Sequence, residues 1–292
     1  MDATLLAFVA LFCRWRGRAA PALPPRAWGL VGEEVRGGPP QTLARRLRSR
    51  GVPEAAVLLE DRGLASESAA RVDRLAEEGW RPSTPFSPTF PRRLALTLGA
   101  ACPPVLWVKN EAPELAGQAV GIVGSRSLRP DEAHFAAEAG EEASRMGFAL
   151  FSGGARGTDR RAVAGAVGAG GFGAHFLPGG SPRRLPAGGA LLSLDPEAPP
   201  FDRIAALQRN RWIYAASRTV VIVSSRFGTG GSWAGAIEAK RSRLTPLIVF
   251  MADPPSLGNE ALWRLGAAGV RNVDQLRQAI LRATCDPVRL AI

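Results

Sequence analysis

The sequence is short of the residues that carry metal and covalent chemistry. Its 292 positions hold three cysteines and two histidines. Cys13, Cys102 and Cys285 lie far apart and form no C-x-x-C pair. That speaks against a disulfide framework or a zinc site and for reduced, cytosolic thiols. His134 and His175 stand near no convincing nucleophile, so no Ser/His/Asp or Cys/His set assembles. No lysine closes a G-x-x-x-x-G turn, the G-x-G-x-x-G fingerprint fails, and no carboxylate pair stands out. These absences describe a binding fold rather than an enzyme, with no cofactor called for. Long apolar runs are missing too. The N-terminal "MDATLLAFVALFCRWRGR" offers about ten apolar residues, too few to span a bilayer. It lacks a basic n-region and an A-x-A cleavage site, and reads as a buried helix. No membrane partner is expected, and the cytoplasm is the expected location.

Lysine is nearly absent as well: Lys109 and Lys240 are the only two. Arginine therefore carries almost all the positive charge of a chain with 37 basic and 26 acidic residues, net +11. A GC-rich genome explains arginine in place of lysine, but not the excess of charge. A basic surface suits phosphate-bearing partners. The hydrophobic share of 46% and the charged share of 22% are those of a globular chain.

The pattern changes twice along the chain. Residues 1–80 carry helical spacings between Pro/Gly stretches: "AFVALFCRW", "PQTLARRLRSRG" stopped at Gly51, "AAVLLEDR" and "ESAARVDRLAEEGW". Residues 81–117 form a proline-rich connector with one strand, "VLWVK". From 118 to 292, short apolar runs end in small or turn residues: "AVGIVGSR", "GFALFSGG", "GFGAHFLPGG", "TVVIVSSR" and "PLIVFMAD". Helical segments at Asp131 to Met146, Arg160 to Gly168, Phe201 to Tyr214 and Ser232 to Arg241 separate them. Buried strands alternating with helices predict an α/β fold with right-handed crossovers and a mostly parallel sheet.

Ligands of such sheets bind at the carboxyl ends of the strands, and there the chain is richest in Gly, Ser, Thr and Arg. "GIVGSRSLRPDEA" places Gly124, Ser125 and Arg126 after a strand, with Pro130, Asp131 and Glu132 suited to a helix first turn. "FSGGARGTDRRAV" carries Gly153, Gly154, Arg156 and Gly157. That turn predicts an anion cradle of backbone N–H groups and a guanidinium, with Thr158 or Asp159 capping the helix behind it. "LQRNRWIYAAS" offers Arg209, Asn210 and Arg211, either a phosphate clamp or a helix-start ion-pair cluster. "SSRFGTGGSWAGAIEAKR" is a further glycine loop before a helix bearing Glu238, a base if buried in the cleft and a partner of Lys240 or Arg241 if exposed.

At these loops the sequence resembles the DprA/Smf family of DNA-processing proteins, from about Phe90 to about Leu276. "FPRRLALTLGAACPPVLWVKNEAPELAGQAVGIVGSR" resembles that family's lead-in and its Val-Gly-Ser-Arg strand end. "SGGARGTDRRAV", "RNRWIYAAS" and "GNEALWRLGA" resemble three further motifs in the family's order. The resemblance implies an extended Rossmann-like core behind a small SAM-like helical domain. It implies single-stranded DNA as ligand, a homodimer, and a RecA-type recombinase loaded onto incoming DNA during natural transformation. It places Ser125, Arg126, Gly154, Arg156 and Arg211 in the strand-binding groove, alongside Gly153, Gly157, Arg209 and Asn210. Arg183 or Arg184 would supply the charge of the family's Tyr-Pro-x-x-Asn stretch, which here reads "SPRRLPAGG". Phe172, Phe227 and Trp233 are candidate stacking partners for bases. The chain departs from the family at Thr158, where isoleucine is usual, at Ala162-Val163, where Ala-His is usual, and at "GTGGSWAGAIE", which replaces Ser-Gly-Ser-x-x-Thr-Ala. No winged helix is expected after Leu290. "GTGGSWAGAIE" also resembles, distantly, the phosphate loop of LOG-type phosphoribohydrolases. That alternative makes the chain a hydrolase or sensor of a nucleotide-derived small molecule, with Glu238 assisting.

Overall fold

The computed structural model describes residues 30, 31, 34, 42–53, 56, 60, 62–85, 87–103, 105–110, 112–180, 189–198 and 203–285. The apolar helix expected near the N-terminus, Arg183, Arg184 and the residues after 285 lie outside them. Two helices come first, α1 (Leu43–Ser49) and α2 (Arg62–Glu77). Gly51, at φ +76°, follows α1 as the sequence predicts. β1 (Trp80–Ser83), α3 (Arg92–Leu98) and β2 (Leu106–Lys109) lead into β3 (Ala119–Val123), α4 (Pro130–Arg145), β4 (Ala149–Ser152), α5 (Thr158–Gly168) and β5 (Gly173–Leu177). β6 (Gly189–Ser193), α6 (Arg203–Ala216), β7 (Thr219–Ile222), α7 (Gly231–Arg241) and β8 (Leu247–Phe250) follow. α8 (Leu257–Arg264), β9 (Ala268–Val270) and α9 (Val273–Cys285) complete the order.

The strands form one nine-stranded sheet in the order β1-β2-β6-β5-β4-β3-β7-β8-β9. β1 and β2 run antiparallel at one edge, and the strands from β6 to β9 are parallel. This is the α/β, Rossmann-like sheet expected. All five strands read from the apolar runs are present, and β1, β6 and β9 are additions. Pro82 is tolerated in β1 because an edge strand needs no N–H there.

Both faces of the sheet are covered, which is why its inner strands are apolar without alternation. Val120 and Ile122 face Phe135, Ala139 and Ala162 of α4 and α5, and Leu276 and Ile280 of α9. Ala119, Val123, Val220 and Ile222 face the other layer, with Trp212, Ile213 and Tyr214 of α6 and Ala236 of α7. The Ile122–Val123 and Val221–Ile222 pairs thus send alternate side chains to opposite cores. α4 begins as its sequence predicts: Pro130 is the first helical residue, and buried Glu132 accepts the Arg129 N–H at 3.0 Å. α2 is tied to the segment after β6 by Arg71 to Asp195 (2.7 Å) and Arg74 to Glu197 (2.7 Å).

α4 and α5 cross in near backbone contact. A Cβ on Gly140 would lie 1.9 Å from the carbonyl oxygen of Ala162, and one on Gly165 would lie 2.1 Å from that of Ala137. Backbone cannot swing aside, so Gly140→Ala is expected to lose about 1–3 kcal/mol in urea unfolding. Gly168→Ala, which meets nothing within 4 Å, should hold or gain stability in the same assay.

Candidate nucleic-acid interface

The strand order reverses around β3, which has β4 on one side and β7 on the other. Loops after these three strands therefore leave the same carboxyl rim at the topological switch point, where such sheets bind ligands. Glycines let the first two loops touch. A Cβ on Gly124 would fall 2.4 Å from the Thr158 hydroxyl, and one on Gly157, at φ +81°, would fall 2.5 Å from the Ser125 carbonyl oxygen. That carbonyl accepts two hydrogen bonds from Thr158, one from its N–H at 3.2 Å and one from its hydroxyl at 3.1 Å. An isoleucine here could not donate the second. The Ser125 hydroxyl in turn accepts the Ser127 N–H at 3.2 Å, so the turn bearing Arg126 is held at both ends.

The expected anion cradle is different in kind. Asp159 is 5% exposed and one of its oxygens, Oδ2, accepts the N–H groups of Gly153 and Ala155, each at 3.1 Å. Two of the loop's donors thus point inward at a resident carboxylate. Neither Thr158 nor Asp159 caps α5: Gly157 is its N-cap, without a side-chain bond. Thr158 is spent on Ser125 and Asp159 on the loop behind it. Sequence shows that glycine and aspartate adjoin, but not which way the amides turn.

Arg209 supplies the counter-charge. A Cβ on Gly153 would lie 1.5 Å from Nη1 of Arg209 and 2.8 Å from Oδ2 of Asp159, so guanidinium and carboxylate face each other past a glycine that has no side chain to part them. Burial pushes the Asp159 carboxyl up to about 6, against the pull of Arg209 and the two amides. Burial also lowers Arg209, with Arg126 adding repulsion and Asp159 opposing. The Arg209 Nε is inaccessible and has no partner among the described residues. His175 on β5 lies against Gly154, at 3.4 Å from that residue's missing Cβ. Burial, then Arg209 and Arg160, push His175 down to about 4, so it is neutral at physiological pH.

The structure brings Ser125, Arg126, Gly153, Gly154, Arg156, Gly157 and Arg209 together at this rim. Arg126 and Arg156 are exposed on the two interlocked loops, and Arg209 lies half-buried beneath. Asn210 and Arg211 reach toward α7. Asn210 donates to the Gly231 carbonyl at 3.1 Å, and Arg211 Nε stands 4.0 Å from Glu238 on α7. Arg211, expected to join Arg126 and Arg156, thus has a carboxylate neighbour on α7. Residues two apart on a helix point to nearly opposite sides, and Arg209 has the rim side. Glu238 is exposed, pairs with Arg211 and accepts the Ser242 hydroxyl. It therefore lies on the α6–α7 flank, where the hydrolase reading cannot use it. Phe172 is partly buried in the core. Phe227, 62% exposed, meets Trp233 edge to face at 5.0 Å.

Two residues escaped the sequence reading. Asn259 is fully buried and its amide donates to the carbonyls of Ile222, Val223 and Phe250 at 2.9–3.0 Å, clasping the ends of β7 and β8. Arg226 lies on the loop after β7, next to the β3 loop that bears Arg126. The signal was visible: "IVGSR" at 122–126 returns as "IVSSR" at 222–226.

A mostly parallel, Rossmann-like sheet with arginines gathered on its switch-point rim places the chain among doubly wound α/β proteins, and comparison with known proteins narrows the class. Residues 82–281 match the family model described as DNA recombination-mediator protein A. A DNA processing protein DprA of Mycobacterium tuberculosis is 31% identical over 288 residues, covering 86% of this chain and 74% of that protein. The chain belongs to the DprA family. Among solved structures, DprA of Streptococcus pneumoniae superposes with a TM-score of 0.61 at 18% identity, over 86% of this chain and 96% of that one. DprA of Helicobacter pylori, described for its mode of single-stranded DNA binding, gives 0.58 at 23% identity, over 70% and 96%. Among the described residues no helix is long and apolar enough to cross a membrane, and no cluster of side chains is arranged to hold a metal.

The buried carboxylate has a pH signature. In the unfolded chain an aspartate titrates near about 3.9, whereas folded Asp159 titrates at about 6. The folded state therefore holds the extra proton in between, and stability falls as pH rises through that window. Asp159→Asn removes this titration and keeps an acceptor for the two amides. Relative to wild type, the variant should gain on the order of 2–3 kcal/mol between about pH 4 and 7 in urea unfolding.

Proposed function

We propose that this chain binds single-stranded DNA across the rim formed by Ser125, Arg126, Gly153, Gly154, Arg156, Gly157 and Arg209, with Arg183 or Arg184 contributing to DNA binding. It does so as a cytoplasmic homodimer that helps load a RecA-type recombinase during transformation or recombination. The observation that carries the reading is the interlock of two loops. The Thr158–Ser125 bonds hold Arg126 and Arg156 side by side and outward, over an interior whose own anion is already compensated. Guanidinium groups on a rigid rim suit a phosphodiester backbone, which needs positive charge along a path more than any base-specific contact. The helical region of residues 1–80 is taken as a unit, joined to the core by the Arg71 and Arg74 ion pairs and by Leu43, Leu47, Val72 and Leu75, which share an apolar cluster with the sheet.

The homodimer draws support from an apolar surface beside the rim. Phe227, Leu257, Trp263 and Leu265 are all exposed, and Phe227, Trp233, Leu257 and Leu265 line a cleft of about 460 Å³. Large apolar side chains clustered at the surface mark association sites. Sedimentation should show a dimer that Leu257→Asp converts to monomer; a wild-type monomer at micromolar concentration would refute that part.

The DNA-binding reading is tested with fluorescent oligo-dT against salt. Affinity should fall steeply with salt concentration, and Arg126→Ala and Arg156→Ala should each weaken binding roughly five- to tenfold while reducing the logarithmic salt slope by about 0.7. Arg211→Ala, on the flank, should change it far less. Undetectable or salt-independent binding by the wild type refutes the proposal.

A further inference from the structure

We infer that Arg226 is a phosphate-binding residue of the same rim and that the DNA strand crosses the sheet edge transversely, from the β4 loop over the β3 loop to the β7 loop. The inference rests on the DNA-binding reading and adds to it a residue and a direction. β3 and β7 are hydrogen-bonded neighbours, with Val123 opposite Ile222 and the Val223 N–H donating to the Val123 carbonyl at 3.0 Å. Each ends in the same five-residue form, Ile-Val-Gly-Ser-Arg and Ile-Val-Ser-Ser-Arg. The repeat is out of register by one, Ile122 lying opposite Val221, so Arg226 falls one residue beyond the position opposite Arg126, on the same carboxyl rim. The three arginines leave adjacent strands, whose spacing is about 4.8 Å, and so form a row across the strands rather than along one of them.

The base of Arg226 is fixed. Ser225 is 3% exposed. Its N–H donates to the Ser256 hydroxyl at 3.2 Å, its hydroxyl to Asn259 Oδ1 at 2.8 Å, and its carbonyl accepts the Gly258 N–H at 3.1 Å. A Cβ on Gly258 would fall 2.5 Å from that carbonyl oxygen. One residue later the chain is exposed, and no hydrogen bond or ion pair to the Arg226 side chain is found among the described residues. Two other exposed arginines are matched along their own helices: Arg145 with Glu141, and Arg264 with Glu260. Glu260, on the helix that anchors Ser225, is thus already engaged by Arg264. A side chain held at its root, charged and without an internal partner, is preorganised for an external anion.

The test uses the full chain and an oligo-dT length series at several salt concentrations. Arg226→Ala should weaken binding of the longer oligomers roughly five- to tenfold and lower the salt slope by about 0.7, with the melting temperature unchanged. Arg226→Lys should keep the slope, and Arg145→Ala, at the opposite end of α4, should behave as wild type. If the wild type binds and Arg126→Ala weakens it while Arg226→Ala matches wild type in affinity and slope, the transverse path is wrong and the DNA-binding reading stands. If the wild type itself does not bind, both fall.

Discussion

A carboxylate that hardly meets solvent shapes the working edge of this protein. Asp159 gathers two amides of the loop after β4, and Arg209 balances its charge from α6. Burying an ion pair is costly unless its groups are well matched, and here burial shifts both groups toward their neutral forms. What the arrangement supplies is definition: the loop has one conformation, and its exposed arginine has one point of departure. Thr158 extends the same logic to the neighbouring loop, joining two crossovers through a single carbonyl.

The interior anion also sets what kind of ligand suits the rim. A small phosphate seeking the amides of Gly153 and Ala155 finds them occupied by a negative group of the protein's own. A chain of phosphates lying over the loops meets guanidinium groups instead. If the rim binds as proposed, this difference in depth favours a polymer of phosphates over a single one.

Much of this was legible beforehand. Five strands and the helices between them follow from apolar runs punctuated by glycine and serine, because a doubly covered parallel sheet leaves that imprint. β1, β6 and β9 left less of one. β1 is four residues with a proline, directly after a helical pattern, and β9 is Ala-Gly-Val. The site was legible as composition and opaque as direction. Arg209 and Arg211 look equivalent in a string of letters, yet a helix sends them to different neighbours. Asn259 lay within a quoted motif, but its grip on three carbonyls depends on strand ends distant in sequence.

That grip joins two surfaces. Asn259 sits on α8, whose outer side bears Leu257 and Trp263, and its inner side fastens the β7 terminus through Ser225. On the proposed reading, a copy that docks on those apolar side chains bears on the helix that fastens the loop of Arg226. If such docking favours the form of the loop that holds nucleic acid, thermodynamic reciprocity requires nucleic acid to favour the docking by the same factor.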